Sequence, residues 1–420
     1  MSIAACCYTV RVPPQPARSA DLDRADVLAE HRDRFVGAES PLVYLDGNSL
    51  GRPLRVTAQR LATFVEQEWG GRLIRAWDES WMDLPLVVGD EIGTVSLGAA
   101  AGQTTVGDST TVLLYKALRA AVALRPGRTE VVLNRDDFPT DRYVAASVAR
   151  ELGLRLRWIE VDPETGVTTD QVAAAVGPDT AVVLLSHVAY RSAWIADAPA
   201  ITALAHEAGA VVLWDLSHSV GSVPLALDDW GVDLAVGCTY KYLNGGPGSP
   251  AFVYAAARHH DALEQPVTGW MGHADPFAMG PDWAPAPGVR RMISGTPPVV
   301  AMQPLRDMLA LLGAVGMPAV REKSTALTEH AIALGEQLLA PHGVRLASPR
   351  EAARRGGHVT FHHPRMREVV ARLWEGQGGP EVVPDYRDPG GLRLGLSPLS
   401  TSFDEVERGM RATLDVLRSL

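Results

Sequence analysis

Short apolar runs recur between residues 107 and 255, at 131–133, 181–185, 211–214, 234–237 and 251–254. Each is too short for a helix and rich in Val, Leu and Ala. Between them, 172–176 and 201–208 carry apolar residues at helical spacing. Continuous apolar runs joined by helical connectors predict strands buried on both faces of a mainly parallel sheet. After Pro297 and Pro298 the texture changes. Residues 302–315 and 325–339 read as apolar helices, 358–362 and 392–396 as half-exposed strands, and 404–417 as a closing amphipathic helix. The first forty residues, rich in Pro, Arg and Asp, read as an arm with one short helix near 25–35. The pattern predicts an α/β chain of two domains. Residues 57–296 form the large one; 1–56 and 297–420 form the arm and a smaller α+β domain.

Composition narrows the function classes. A chain of 420 residues, 46% of them hydrophobic, can bury cores for two domains. A formal charge of −10 argues against a nucleic-acid partner, which requires a basic face. No apolar run reaches the roughly 18 residues of a membrane span. The start, MSIAACCYTVRVPP, lacks the basic region and long apolar core of a signal peptide. Three cysteines, Cys6, Cys7 and Cys238, lack metal-ligand spacing. No metal is expected, and the sparse count suits a reducing cytoplasm. Cys6 and Cys7 receive no function, and Cys238 reads as a packing residue.

The candidate chemistry lies just beyond the predicted strands, where open α/β sheets bind ligands. WDLSHSV at 214–220 places Asp215 and His218 three residues apart, and VGCTYKYLNGGPG at 236–248 places Lys241 before a glycine-rich turn. An Asp, a His and a Lys closing buried strands are what a pyridoxal phosphate site requires. The lysine forms an imine, and the acid pairs with the ring nitrogen so that the ring withdraws electrons. Lys241 is reactive only when neutral, so burial or cationic neighbours must oppose its ordinary pKa of about 10.4. Taken alone, Asp215 reads equally as a cap at a strand end, and Lys241 as a surface lysine. Asp108-Ser109-Thr110-Thr111 precedes a helical pattern over 112–122. A helix N-terminus is an anion site, and a bare N-cap uses the same donors. FPTD at 138–141 offers Phe138 as a stacking ring or as a core residue beside a turn opened by Pro139.

These segments resemble the kynureninase family. The resemblance runs through DGNSLGRPL at 46–54, FPTD, WDLSHSVGSVPL at 214–225, GCTYKYLNGGPG at 237–248, GWMGHADPF at 269–277 and ISGTPPV at 293–299. They occur in one order over about 44–403, nearly the whole chain. The resemblance implies pyridoxal phosphate fold-type I, with a mainly parallel seven-stranded sheet flanked by helices. It implies pyridoxal 5'-phosphate as cofactor and a hydrolase of tryptophan catabolism, in the kynurenine pathway toward NAD, acting on L-kynurenine. The Cβ–Cγ bond would break to give anthranilate and L-alanine.

It also implies site residues. Thr110, Thr111 and Tyr240 would hold the phosphate. Phe138, Pro139, Thr140, Asp141, Ser186, Asp215 and His218 would surround the ring. Lys241 would be the imine lysine and base, with Tyr240 and Asp215 as its catalytic companions. Trp270 and Thr296 would reach the cofactor of a second subunit in a homodimer with shared sites. Arg393, in an Arg-x-x-x-x-Pro-Leu pattern, would grip the substrate α-carboxylate with a two-pronged fork. Asn48 is a second polar contact or a turn residue. Trp69, Trp270, Gly295 and Thr296 would frame the aryl end, in the form that resembles bacterial enzymes preferring unmodified kynurenine. HVAYRSA at 187–193 replaces the usual HVNYRTG, and Ser400 stands where many relatives carry Tyr. These departures bear on the choice between kynurenine and 3-hydroxykynurenine. Two further readings stand beside the hydrolase. A cysteine desulfurase would need a mobile nucleophilic cysteine, and none follows Cys238. A catalytically silent binding protein would not need Lys241, Asp215 and Arg393 together.

Overall fold

A computed structural model describes residues 18–420; Cys6 and Cys7 lie outside them. Seven strands form the main sheet: β2 (Thr104–Gly107), β3 (Glu130–Asn134), β4 (Arg155–Ile159), β5 (Thr180–Ser186), β6 (Val211–Asp215), β7 (Leu234–Gly237) and β8 (Ala251–Ala255). Their order is β2-β8-β7-β6-β5-β3-β4. Every pairing is parallel except those of β8, which runs antiparallel to both β2 and β7. The apolar runs are continuous because β3, β6, β7 and β8 are buried along their whole length. β4 alternates exposed and half-buried residues, as an edge strand does.

The connecting helices are stopped and started by their own side chains. Ser109 caps Thr110–Ala123, Thr168 and Gln171 form a capping box on Thr169–Ala175, and Asp197 caps Ala198–Glu207. From β3 the chain moves outward to β4, whereas β5, β6 and β7 follow one another in the opposite direction. That reversal makes the carboxyl ends of β3 and β5 a switch point, where a crevice opens.

A second sheet has the order β12-β13-β10-β9, all antiparallel, from β9 (Arg345–Leu346), β10 (His358–His362), β12 (Asp385–Arg387) and β13 (Gly391–Gly395). A two-stranded parallel pair joins the arm to it, β1 (Val43–Tyr44) with β11 (Val382–Val383). Beside that pair, Asp46 bridges to Gly395. The apolar face of helix Phe403–Arg418 packs into this unit's core, with Val43, Leu45, Leu327 and Phe361. The helix Val299–Val315 follows the proline pair, yet Met302, Leu305, Met308 and Leu312 pack into the core of the large sheet. The change of core therefore falls inside the next helix, Met317–Leu334, between Val320 and Leu327. Among the described residues no single helix is long and apolar enough to cross a membrane.

Candidate active site

Three carboxylates converge at the switch point. β5 and β6 run in register so that Ser186 sits beside Asp215. Asp215 is 6% exposed, and its Oδ1 accepts from the Ser217 N–H at 2.9 Å and the Ser217 hydroxyl at 2.6 Å. Asp137, in the loop after β3, accepts from the Ser186 N–H at 3.3 Å and the Asn134 amide at 3.4 Å through Oδ1. Its Oδ2 is buried without a partner. Asp141 opens the helix Pro139–Leu152, behind Pro139 and Thr140, and accepts from the Ser186 hydroxyl at 3.4 Å. Burial, and then mutual repulsion with Asp215, push the acids up: Asp137 to about 7, and Asp141 well above the usual carboxylate range. Of the trio, Asp141 feels the Lys241 amine as well as the other two acids, so the buried cluster is short of positive charge. A protonated pyridine ring supplies it, so the donor set fits the ring of pyridoxal phosphate.

Lys241 is held by the turn that follows β7. Asn244 adopts φ +49°, its N–H donates to the Lys241 carbonyl at 3.0 Å, and its side chain donates to Arg52 O at 2.8 Å. The arm seals this turn, because Gly51 N–H donates to Tyr240 O at 2.9 Å. A Cβ on Gly51 would lie 2.5 Å from the Lys241 carbonyl, so only glycine permits that approach. Lys241 Nζ lies 3.3 and 3.4 Å from the two ring nitrogens of His218, and 5.9 Å from the ring centres of both Phe138 and Tyr240. Burial, then the charges of Lys241 and Arg393, keep His218 neutral. Burial, reinforced by the Cys238 thiol, raises the Tyr240 phenol, which stays a proton donor. Cys238 itself is buried and pushed up by burial, as suits packing.

Thr110 and Thr111 begin the helix Thr110–Ala123. Thr111 is exposed and Thr110 half-buried, so the free N–H groups of this turn are open to an anion. Lys116, buried two turns along the helix, donates to Asp108 at 3.0 Å and to Ser294 at 2.8 Å. It ties this turn to the loop bearing Gly295 and Thr296.

On the side of the smaller sheet Arg393 is 1% exposed. Nη1 donates to Tyr190 O at 2.7 Å, Nη2 donates to Ser49 Oγ at 3.1 Å, and the Asp385 carboxylate lies 2.5 Å from Nη2. The Asn48 amide, with its oxygen toward the guanidinium, accepts from Nε at 3.0 Å and donates to Asp46 at 3.1 Å. Asn48 is therefore a guanidinium anchor as well as a turn residue. Burial and the nearby Asp385 raise Asp46 to about 6. Tyr190 meets the Phe138 ring edge-on at 5.4 Å, which links the arginine's anchor to the ring that borders Lys241.

The remaining aryl-end residues lie elsewhere in the same chain. Trp69 is 53% and Trp270 37% exposed, and Gly295 and Thr296 are exposed. Among the described residues no hydrogen bond, ion pair or ring contact joins these four to Lys241, Asp215 or Phe138. Trp77 lines two neighbouring hollows, one of about 330 Å³ with Trp69 and Pro297, the other of about 380 Å³ with Trp270 and Phe277. Sequence reasoning did not single out Asp137, Tyr190, Asp385 or Lys116. Asp137 was within reach, directly before FPTD; the other three act through partners distant in sequence.

The Aminotransferase class-V family matches residues 105–373. Kynureninase of Pseudomonas fluorescens is 42% identical over 393 residues, covering 92% of this chain and 91% of that protein. Kynureninase of Deinococcus radiodurans is 43% identical over 94% of this chain and 95% of its own length. Among solved structures, an apo cysteine desulfurase from Thermococcus onnurineus NA1 superposes with TM-score 0.79 at 16% identity, over 93% of this chain and 98% of that one. A C-DES mutant with glycine covalently linked to its PLP cofactor gives TM-score 0.78 at 19% identity, over 91% and 99%. These structural likenesses show the fold alone. At 42–43% identity over nearly their whole lengths, the sequence relatives show that the chain belongs to the kynureninase family.

Proposed function

We propose that the chain uses pyridoxal 5'-phosphate to hydrolyse L-kynurenine to anthranilate and L-alanine, with Lys241 as the lysine that holds the cofactor and moves the α-proton. The observation that carries the reading is the buried Lys241 amine acting on the Asp141 carboxyl, which in turn repels Asp215 and Asp137 in the same buried cluster. When bound, the cofactor supplies an electron-withdrawing ring that takes up the electron pair released at the substrate α-carbon. Asp215 would hold the proton on the ring nitrogen. Phe138 would stack on the ring, and Pro139, Thr140, Asp141, Ser186 and His218 would surround it. Thr110 and Thr111, with the Tyr240 hydroxyl, would bind the phosphate through N–H and O–H donors.

Lys241 takes the α-proton as general base, and neutral His218 at 3.3 Å offers its amine a hydrogen-bond partner without a competing charge. Tyr240, kept protonated, can return a proton to the product carbon. Arg393 and Asn48 orient the α-carboxylate. Trp69, Gly295 and Thr296 select the aryl group.

We assign the working form as a homodimer with shared sites. Trp69, Ile74, Trp270, Phe277 and Met279 are exposed around the two Trp77 hollows, an apolar surface of the kind that oligomers cover. A partner chain would carry Trp270 and Thr296 to the Lys241 pocket that they do not reach in their own chain. The sheet-bearing unit 57–296 and the unit formed by 1–56 and 297–420 would close on the substrate from two sides, with Val299–Val315 packed on the sheet-bearing unit. The cytoplasm suits a chain whose one described cysteine is buried and free. The test is to incubate the cofactor-loaded protein with kynurenine and 3-hydroxykynurenine separately and to identify the aromatic amine formed. Anthranilate formed at the higher kcat/KM supports the kynurenine reading, and 3-hydroxyanthranilate formed at the higher kcat/KM reverses the preference. No amine from either substrate removes the activity.

A further inference from the structure

A guanidinium carries five N–H donors. In Arg393, Nε is taken by Asn48, one Nη1 hydrogen by Tyr190 O and one Nη2 hydrogen by Ser49. The Asp385 carboxylate forms an ion pair with Nη2 at 2.5 Å, so a substrate carboxylate meets a like charge on that nitrogen and finds the second Nη1 hydrogen unobstructed. A donor from another residue would serve the second carboxylate oxygen without displacing Asp385.

The ladder of the smaller sheet identifies a neighbour able to supply it. β10 pairs with β13 so that Thr360 faces Arg393 and His358 faces Gly395. Residues two apart on a strand share a face, so His358 and Arg393 are diagonal neighbours on one face of the sheet. Opposite His358, Gly395 has no side chain, and the Asn48 amide fills the space: a Cβ there would lie 1.9 Å from it. The His358 ring centre is 5.6 Å from that of His218, the ring that borders Lys241 Nζ. The face carrying His358 is thus the one turned toward the lysine.

His358 is 0% exposed, and neither ring nitrogen makes a well-formed hydrogen bond, although the Tyr190 backbone lies close enough to act on the ring. Buried polar groups are paired almost without exception, so an unpaired imidazole beside a binding site awaits a ligand. Burial and the facing charges of Arg393, Lys241 and Arg387 outweigh the opposing pull of the Tyr190 backbone and keep it neutral, with one N–H to donate.

We infer that His358 is a substrate-binding residue that donates its ring N–H to the α-carboxylate held by Arg393. The inference rests on the reading of Arg393 as the carboxylate anchor. The test uses cofactor-loaded protein and two probes that shift the cofactor absorbance without turnover: L-alanine, which carries the carboxylate, and ethylamine, which lacks it. His358→Leu should weaken L-alanine binding about tenfold, raise KM for kynurenine by a similar factor, and leave ethylamine binding and kcat within about threefold. His358→Gln keeps an N–H donor and should restore most of the loss. His358→Phe preserves the ring volume and carries the test if the Leu variant does not fold. Apolar variants that keep the wild-type preference for alanine over ethylamine overturn the role of His358. So does a Gln variant as impaired as Leu, or apolar variants that all fail to fold or to hold cofactor. Arg393→Leu separates the two levels. If it abolishes the preference while His358→Phe does not, the anchor stands and the second donor falls. If it too keeps the preference, the reading of Arg393 falls as well.

Discussion

Replacing Asp137 by Asn removes one of three buried acids while keeping an oxygen where Ser186 and Asn134 donate. Its folded-state pKa of about 7 stands above the ordinary 3.8 because burial, and then the charge of Asp215, disfavour ionisation. Between those values the folded chain keeps a proton that the unfolded chain has lost. The stability from this group is therefore fully present below the unfolded pKa and is lost as pH rises through about 7. From pH 5 to pH 8 the loss spans about two units at ~1.36 kcal/mol each, or ~2.7 kcal/mol in cofactor-free protein. Urea unfolding of wild type and Asp137→Asn at both pH values reads it, since groups remote from Asp137, such as Asp46, act in both proteins. The variant should lose ~2.7 kcal/mol less than wild type over this range. Adding cofactor at pH 8 should stabilise wild type more than the variant, because a ring cation relieves the ionised acid. Equal losses in both proteins would refute the buried-acid account of the pocket.

Further outcomes follow from the same geometry. Gly295→Ser with Thr296→Asn should narrow or reverse a kcat/KM preference for kynurenine over 3-hydroxykynurenine, since a site that hydrogen-bonds a hydroxyl selects for it. A wild-type preference for the hydroxylated substrate would contradict the aryl-pocket assignment. Mixing Lys241→Ala subunits with impaired Trp270→Ala subunits should recover activity, because one site of each mixed dimer holds both native residues. Demonstrated subunit exchange without recovery would count against shared sites, as would full activity in a monomer.

Much of the fold was legible because β3, β5, β6, β7 and β8 are buried along most of their length and read as continuous apolar runs. β2 and β4 were not legible. β2 is a four-residue strand opening with two threonines, and the edge strand β4 carries Arg155 and Arg157 on its open side. The short arm helix expected near 25–35 is two pieces, Ser19–Ala25 and Ala29–Arg34. Asp26 breaks between them: it is extended, accepts from the Leu28 N–H at 3.0 Å and pairs with Lys323. The proline pair lies in a loop, and the apolar helix that follows it serves the core of the large sheet, an allegiance its own sequence does not display. At the site, Asp215, His218 and Lys241 stood out because Asp215 ends its strand and the other two lie within a turn of a strand end. Arg393 was legible as a residue, not in its engagement. Tyr190, Ser49 and Asp385 reach it from three remote segments, and no local pattern announces such a convergence. His358 had no signal beyond its strand; only the ladder register sets it beside Arg393.

The most direct measurement follows cofactor absorbance and anthranilate release together in wild type and Lys241→Ala. The wild type should show the cofactor band and convert kynurenine to equal amounts of anthranilate and alanine. The variant should keep its fold by circular dichroism while losing the band and essentially all turnover, because a methyl group can neither hold the cofactor nor move a proton. Anthranilate release by Lys241→Ala at the wild-type rate would contradict the central role given to this lysine.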